Sequence, residues 1–471
     1  TAMALGQQKT HLSAPPAEET WLVQIGNTVI TVDARLDNRD ELCHRLGVPE
    51  TERTHASNSR LVLLAWKKWG LECPQHLLGD FAFAIWDTER RQLFCVRDSF
   101  GVRPFYYAHW DQNFFFASDI EALLAIPGFP IEFDEIYLAA YFRHGASFPH
   151  TKRTLFKFIQ KLPPAHAMLV SSHQLQTWCY WKPEDVPEIH FRSEKDCSER
   201  LAELFTQAVS RRIQSPFPVG AHISGGLDSS AVAVVAARLL QQTSKNLVGG
   251  FCWSPPISSD ESQLAKDERK RVLDIAQKEG FPLFFAEVSR QDAVAFLMQR
   301  RPISFIEFSH EINIRRQANA HGIRVLLSGW GGDDVVTSKG IGFFPGELHA
   351  GHWKTALYEL NQQAKLYHVN PLKLGFDKFI LPFLPGNFSL ILKNRRTSRQ
   401  ALAPFIGKMP IPLILESGLR ARLQQVKKLP EFDLQIHHRQ GVRAVQQALL
   451  ANGHIADRLE GWAALGARSG I

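Results

Sequence analysis

The sequence predicts an α+β domain followed by an α/β domain. Three observations predict this. Residues 1–185 carry short apolar runs of strand length separated by turn residues, rich in Val, Ile, Phe, Trp and Tyr. From Ser198 onward, helix-length segments alternate with short buried strands. Between the two lies a polar, acid-rich connector, Lys182 to Glu194, broken by Pro183 and Pro187. At 471 residues the chain is also too long for one ordinary domain.

In the first domain, strands are expected at 21–25, 28–33, 81–86, 93–97, 105–108 and 114–117. Asp111, Gln112 and Asn113 separate two aromatic strands and read as a hairpin turn. Helices are expected at 38–46 and 59–69, the second with apolar positions 61, 62, 65, 66 and 69 on one face. In the second domain (195–471), helices at 198–213, 229–241, 261–279 and 310–321 alternate with strands at 219–223, 247–253, 283–287 and 323–327. That order implies a parallel sheet covered by helices on both faces. Beyond residue 340 the sequence reads as mainly helical, with loops around 382–387 and 410–412 and no internal repeat.

Composition removes several function classes. Hydrophobic residues make up 45% and charged residues 21%, which describes a chain with a core rather than a disordered one. No apolar run reaches the ~18 residues that a bilayer requires; the most lipid-like stretch, 379–392, contains Pro382 and Pro385. No membrane span and no signal peptide are expected. Six scattered cysteines without a CxxC pair argue against a disulfide framework or zinc cluster and for a reducing, cytoplasmic setting. Lys plus Arg is 54 against 47 Asp plus Glu, a net charge of +7. These basic residues are dispersed, so no nucleic-acid partner is expected; a polyphosphate or an acidic peptide accounts for the surplus. Gly407-Lys408 is followed by Met409, so there is no Walker A loop, and neither GxSxG nor HExxH occurs.

The sharpest chemical signal is Val219-Gly220-Ala221-His222-Ile223-Ser224-Gly225-Gly226-Leu227-Asp228-Ser229-Ser230. A buried strand runs through a Ser-Gly-Gly turn into a helix. The glycines let backbone N–H groups approach a ligand, and the helix start favours an anion. Asp228 would repel bare phosphate, so it makes sense only with a bridging cation. Together these parts make a pyrophosphate cradle with a Mg2+ ligand; the plain alternative is a turn with a Ser/Asp cap. The second signal is Val325-Leu326-Leu327-Ser328-Gly329-Trp330-Gly331-Gly332-Asp333-Asp334. It is again a buried strand ending in a glycine loop, here with two carboxylates. Parallel sheets bind ligands at their carboxyl ends, so the loops should converge, with Asp228 and Asp333 sharing Mg2+ on one triphosphate. A third segment, 260–276, opens with the charged cluster Asp267, Glu268, Arg269, Lys270 and Arg271, in which Asp267 or Glu268 is an accessory candidate.

These three motifs, in this order and spacing, resemble the synthetase domain of asparagine synthetases, a group that includes the β-lactam synthetases and the lasso-peptide macrolactam cyclases. The resemblance reaches the first domain through Leu78 to Asp87, Arg97 to Tyr107 and Phe116 to Leu124, which are similar to the family's glutaminase-like domain. It implies an N-terminal β-rich Ntn-type (glutamine amidotransferase type 2-like) domain over 1–185. A PP-loop, adenine nucleotide α-hydrolase-like synthetase domain would follow over 195–471. The resemblance also implies ATP and Mg2+. Nucleotide contacts would come from Ile223, Ser224, Gly225, Gly226, Leu227, Asp228, Ser229, Ser230, Cys252, Ser328, Gly329, Gly331 and Gly332. Asp228 and Asp333 would be catalytic, with Trp330 and Asp334 accessory. His222, His437 and His438 have no partner motif and read as packing or surface residues.

Departures from the family pattern point to a subgroup. Glutamine-using members begin with a catalytic cysteine, whereas this chain begins Thr1-Ala2-Met3, and Cys43 falls within an expected helix. The family's Asn-Gly pair is Asp33-Ala34 here, and its Ser-Asp-Thr-Glu run is Ser57-Asn58-Ser59-Arg60. An inactive amidotransferase domain with no glutaminase nucleophile is expected. The segment 33–42, the Trp-Gly-Gly-Asp-Asp loop and the stretch 346–360 look most like lasso-peptide cyclases. Such enzymes adenylate a side-chain carboxylate of a precursor peptide, and the peptide's own amine closes a macrolactam. The implied partners are that precursor peptide, a leader-peptide-binding protein and a peptidase. Where β-lactam synthetases carry a tyrosine, Trp330 cannot act as a base and reads as a packing residue. The chain reads as entering mid-domain and stopping before the family's late catalytic lysine. Two rivals stand beside the cyclase: an asparagine synthetase using glutamine or ammonia, and a scaffold that binds a leader peptide or partner enzyme.

Overall fold

The computed structural model describes residues 22–144, 152–253, 268–287, 289, 291–292, 294, 311–337, 340–383, 417–426, 441–451 and 454–469. Its first domain contains strands β1 (Leu22–Ile25), β2 (Thr28–Leu36), β3 (Gly79–Asp87), β4 (Gln92–Arg97), β5 (Tyr106–Trp110), β6 (Asn113–Ala117), β7 (Gln160–Lys161), β8 (His166–Val170) and β9 (Leu175–Cys179). They form an antiparallel six-stranded sheet, β1-β2-β3-β4-β8-β9, and a three-stranded sheet, β6-β5-β7. Helices α1 (Arg39–Leu46), α2 (Glu50–Arg53) and α3 (Asn58–Trp69) precede β3, and α4 (Ile120–Leu124) and α5 (Glu135–His144) follow β6.

The layering follows from the residues of β3. Phe81, Phe83 and Ile85 pack with Leu42, Leu61 and Val62 beneath α1 and α3. Ala82 and Ala84, on the opposite face, meet Phe105, Tyr107, Leu162 and Met168 in the core between the sheets. Large residues on one face and alanines on the other let the second sheet approach closely. The far face of the small sheet covers Ile120, Leu123 and Phe129. Both faces of β3 are therefore buried, and its run FAFAIW is apolar throughout rather than alternating. The hairpin between β5 and β6 turns on Asp111 (φ 48°) and Gln112 (φ 58°), a two-residue turn in the left-handed region made without glycine.

The second domain opens with α6 (Glu194–Arg212), capped by the Ser193 hydroxyl, which accepts from Asp196 N at 3.1 Å. Then follow β10 (Val219–His222), α7 (Leu227–Gln242), β11 (Gly249–Cys252), α8 (Glu268–Glu279), β12 (Leu283–Phe285), α9 (Glu311–Ala320) and β13 (Val325–Leu327). The four strands are parallel in the order β12-β11-β10-β13. Ala233, Ala236 and Ala237 bring α7 tight against one face, while Ile314 and Ala318 of α9 cover the other. Among the later helices are α10 (Phe343–His349), α11 (Trp353–Leu366), α12 (Pro371–Gly375), α13 (Ser417–Gln425), α14 (Val442–Ala451) and α15 (His454–Ser469). No helix of the described residues is long and apolar enough to cross a membrane.

Strand and helix positions agree with the sequence pattern to within a few residues, with local departures. The expected strand 247–253 is shorter, and helix 261–279 is described only from Glu268. Strands β7 to β9 and helices α2, α4 and α5 have no counterpart in the sequence pattern, because their short mixed runs carry no clear period. Of the loop expected around 382–387, residues 382–383 close a 3-10 turn (Leu381–Phe383), and its remainder, the loop around 410–412, Asp267, His437 and His438 lie outside the described residues.

Buried ion pairs join the domains. Arg97, wholly buried on β4, donates to the carbonyls of Leu162 (2.7 Å) and Gly101 (2.6 Å) and to the Glu460 carboxylate on α15. The Tyr106 hydroxyl donates to Glu460 Oε2 at 3.1 Å, and Lys161 pairs with Asp457 one turn earlier. At the end of α6, Arg212 forks onto Asp80, with Nη2 2.9 Å from Oδ1. Burial opposes ionisation of Asp80, but the hydrogen bond and charge of Arg212 outweigh it, so its carboxyl lies below the ordinary range. A depressed carboxylate contributes stability above its unfolded pKa and loses it as pH falls through the folded value. Asp80→Asn is therefore expected to lower stability by about 2 kcal/mol at neutral pH and to flatten the acid limb of thermal unfolding. Melting curves at several pH values down to the acid range check this.

Candidate nucleotide site

The carboxyl ends of β10 and β13 are neighbours, paired Val219 to Val325, Gly220 to Leu326 and Ala221 to Leu327. This is where strand order reverses, the point at which open parallel sheets leave a crevice for ligands. The two glycine loops therefore meet. A Cβ on Gly329 would stand 2.3 Å from Ser229 N, and one on Gly332 would stand 2.2 Å from Asp228 Cγ. Only glycine permits such an approach. The second loop is laid directly along the first turn of α7, with its backbone against the Asp228 carboxylate.

Gly225 turns the first loop at φ +79°, and a Cβ there would meet the Glu268 carbonyl at 2.7 Å. The third sequence motif thus touches the cradle through the backbone of Glu268, whose side chain is exposed. Ser229 fixes the turn from within: its hydroxyl accepts from Ser224 N at 3.0 Å and pairs with Ser224 Oγ at 2.9 Å. The buried Ser230 hydroxyl has no hydrogen-bond partner among the described residues, as suits a group awaiting a polar ligand. Leu227, at the start of α7, is 90% exposed and marks the open mouth.

Ser328 accepts from Trp330 N at 3.1 Å and so closes the start of the second loop. Gly332–Val336 continues as one π-helical turn, with Thr337 N bonded to Gly332 O at 2.9 Å. Such turns recur at functional sites. Asp333 is exposed on this turn beside Gly332; the side chain of Asp334 lies outside the described residues. Gly331 (φ +98°) and the half-buried Trp330 complete the loop. Ile223 and Cys252 occupy the core, 1% and 3% exposed. The Cys252 thiol donates to Ile223 O at 2.9 Å, and burial pushes its pKa up to about 12. A nucleotide would meet these two through the strand ends rather than their side chains. His222 is buried, in keeping with a packing role, although it faces a carboxylate that the sequence reading did not connect with it.

Asp33, Asn58 and Arg60 each find a partner within the first domain. Asn58 donates to Ala34 O at 2.8 Å, its Oδ1 accepts from Arg39, and Arg39 also donates to Ala56 O at 2.5 Å. Asp33 lies 3.5 Å from Arg103 and, despite burial, keeps that guanidinium charged. Arg60 pairs with Glu52 at 2.7 Å, both half-exposed, so its charge is turned away from Asn58 rather than into the pocket. All six cysteines are free, and Cys43 is buried in α1, where burial raises its pKa.

The fold is that of a two-domain chain, an amidotransferase-type layered β domain joined to a parallel-sheet domain with two glycine loops converging at its strand ends. The Glutamine amidotransferase domain profile matches residues 16–181 and the Asparagine synthase profile residues 200–383. Together the two profiles mark an amidotransferase-type domain followed by an asparagine synthase-type domain. It is 36% identical over 217 residues to Asparagine synthetase [glutamine-hydrolyzing] 3 of Bacillus subtilis strain 168, covering 46% of this chain and 35% of that one. To Amidase chry2 of Gibberella zeae it is 25% identical over 291 residues, 59% and 42% of the two chains. To a putative asparagine synthetase [glutamine-hydrolyzing] of Mycobacterium bovis it is 27% identical over 362 residues, 71% and 50%. The chain spans between a third and a half of the length of these relatives.

Proposed function

We propose that this protein is an ATP-dependent carbon–nitrogen ligase of the asparagine synthetase type, which adenylates a carboxylate and passes its acyl group to an amine. The observation that carries this reading is the convergence of two glycine loops on Asp228 at the sheet's switch point. The substrate carboxylate would attack the α-phosphorus of ATP, breaking its bond to pyrophosphate. The amine would then attack the acyl carbon, AMP would leave with the former carboxylate oxygen, and one proton would be lost.

The α7 N-terminus and the loop N–H groups would hold and orient the phosphates. Ser230 supplies a hydroxyl already withdrawn from water, and Ser224 and Ser229 hold the turn rigid. The glycine cradle and the two carboxylates fit a phosphate-bound cation, so Asp228 and Asp333 would hold Mg2+. When bound, Mg2+ neutralises charge on the leaving pyrophosphate.

The relatives' names support asparagine formation as the first reading, with aspartate as acyl donor. The contacts of Asp33, Asn58 and Arg60 favour a second, in which the amine belongs to the substrate, as in macrolactam closure of a precursor peptide. Asn58 and Asp33 are committed to Arg39 and Arg103, which leaves glutamine's ammonium group without its carboxylate. Glutamine incubated with the protein is expected to yield no glutamate above background, assayed enzymatically. Pyrophosphate release with Mg-ATP, in separate arms with aspartate plus ammonia and with an amine-bearing peptide, separates the two readings. Asparagine in the first arm supports the synthetase; a peptide product lighter by one water supports the cyclase. Release in neither arm, from a protein that binds Mg-ATP, would contradict both.

A further inference from the structure

Behind the nucleotide loop lies a buried charged cluster that the proposed chemistry does not use. His222, the last residue of β10, is 4% exposed, and its Nε2 stands 3.4 Å from Glu311 Oε2. Glu311, at the start of α9, is 0% exposed and also lies 3.4 Å from Arg315 Nε. Trp253 and Trp462 wall the His222 ring at centroid distances of 5.3 and 5.7 Å, and the Arg315 guanidinium carbon stands 5.4 Å from the Trp462 ring centroid. Neither ring nitrogen of His222 has a hydrogen-bond partner among the described residues. Packing against the two indole walls therefore holds the ring, and a packed wall fixes a side chain only while it is present.

The next residue, Ile223, begins the nucleotide loop. Its N–H donates to Phe251 O at 3.0 Å and its carbonyl accepts from Cys252. A shift of His222 is thus a shift of the peptide that leads into Ser224 and Gly225. Trp462 belongs to α15, which also carries Asp457 and Glu460. Asp457 and Glu460 are three residues apart and share a face, the one clamped to Lys161, Arg97 and Tyr106 of the first domain. Trp462, two residues beyond Glu460, projects from the opposite side toward His222 and Arg315. One helix is wedged between the amidotransferase-type domain and the base of the nucleotide loop.

We propose that Trp462 is a positioning residue for the nucleotide loop, acting through His222, and that α15 thereby makes the first domain a brace for the ATP site. Loop positioning itself stands without any nucleotide; its consequence for ATP rests on the function proposed above. The test compares wild type, Trp462→Ala, Trp462→Phe and Glu460→Gln, each shown to be folded by circular dichroism. Hydrogen exchange of amides 223–227 is measured without nucleotide, and Mg-ATP affinity by calorimetry.

In Trp462→Ala, exchange at 223–227 is expected to accelerate about tenfold, with a similar loss of affinity. Trp462→Phe should restore both to within about threefold of wild type, since an aromatic wall is kept. Glu460→Gln should accelerate the same amides through the loosened helix. Unchanged exchange at 223–227 in a folded Trp462→Ala protein would overturn the proposal, and unchanged exchange in Glu460→Gln would remove the first domain from it. If wild type binds no Mg-ATP yet the exchange pattern holds, the nucleotide reading fails and the positioning role stands.

Discussion

Asp228→Ala is expected to lower ATP–pyrophosphate exchange by about a thousandfold or more while the protein stays folded. The side chain sits half-buried on the first turn of α7, with the Gly332 backbone packed against its carboxyl group. A carboxylate aimed at a phosphate cradle is unfavourable by itself and becomes useful only when it holds a cation against the phosphates. Removing it takes away that ligand but leaves the loop hydrogen bonds of Ser224 and Ser229 in place. Exchange kinetics and a melting curve on the same preparation separate the two effects. A rate within tenfold of wild type would move the catalytic cation elsewhere. Asp333→Ala, on the exposed turn, is expected to show a smaller loss of the same kind.

Gly329→Ala is expected to damage both stability and binding. Its Cβ would stand 2.3 Å from Ser229 N and 2.6 Å from Ser229 Cα, and both atoms are backbone and cannot swing aside. The second loop must therefore lift away from α7, at a cost of about 1–3 kcal/mol in the manner of an overpacked core. Lifting it separates the Asp333 turn from Asp228, so Mg-ATP affinity is expected to fall by well over tenfold. Differential scanning calorimetry with and without Mg-ATP checks both parts: a lower melting point, and loss of the shift that ligand brings to wild type. A folded variant with an undiminished ligand shift would contradict the close packing of the two loops.

Much of this arrangement is legible in the chain. Strand-SGGLDSS-helix and strand-SGWGGDD announce themselves, since glycine spacing after an apolar run has few uses other than close backbone approach. The order of strands and helices then places both loops at the carboxyl edge of one sheet. Legibility fails where contacts are long-range and carry no local pattern. Arg97 and Glu460 are 363 residues apart, and nothing near either residue marks it as half of a buried pair. His222 and Glu311 look like an isolated histidine and a helix-start acid until the sheet brings them to 3.4 Å. Arg60 misleads for the opposite reason: its place beside Asn58 in sequence suggests a shared pocket, while the helix turn directs it to Glu52. Strands β8 and β9 are hidden because their partners are β4 and each other, fixed by tertiary pairing rather than by propensity.

Equilibrium binding of ATP to the chain, with and without Mg2+, in wild type and Asp228→Asn, tests the central claim most directly. Wild type should bind Mg-ATP, release it in competition with pyrophosphate and lose most affinity when Mg2+ is withheld; Asp228→Asn should bind at least about tenfold more weakly. Absent binding by a folded wild-type chain, or binding indifferent to both Mg2+ and Asp228, would contradict the assignment of the converging loops as the nucleotide site.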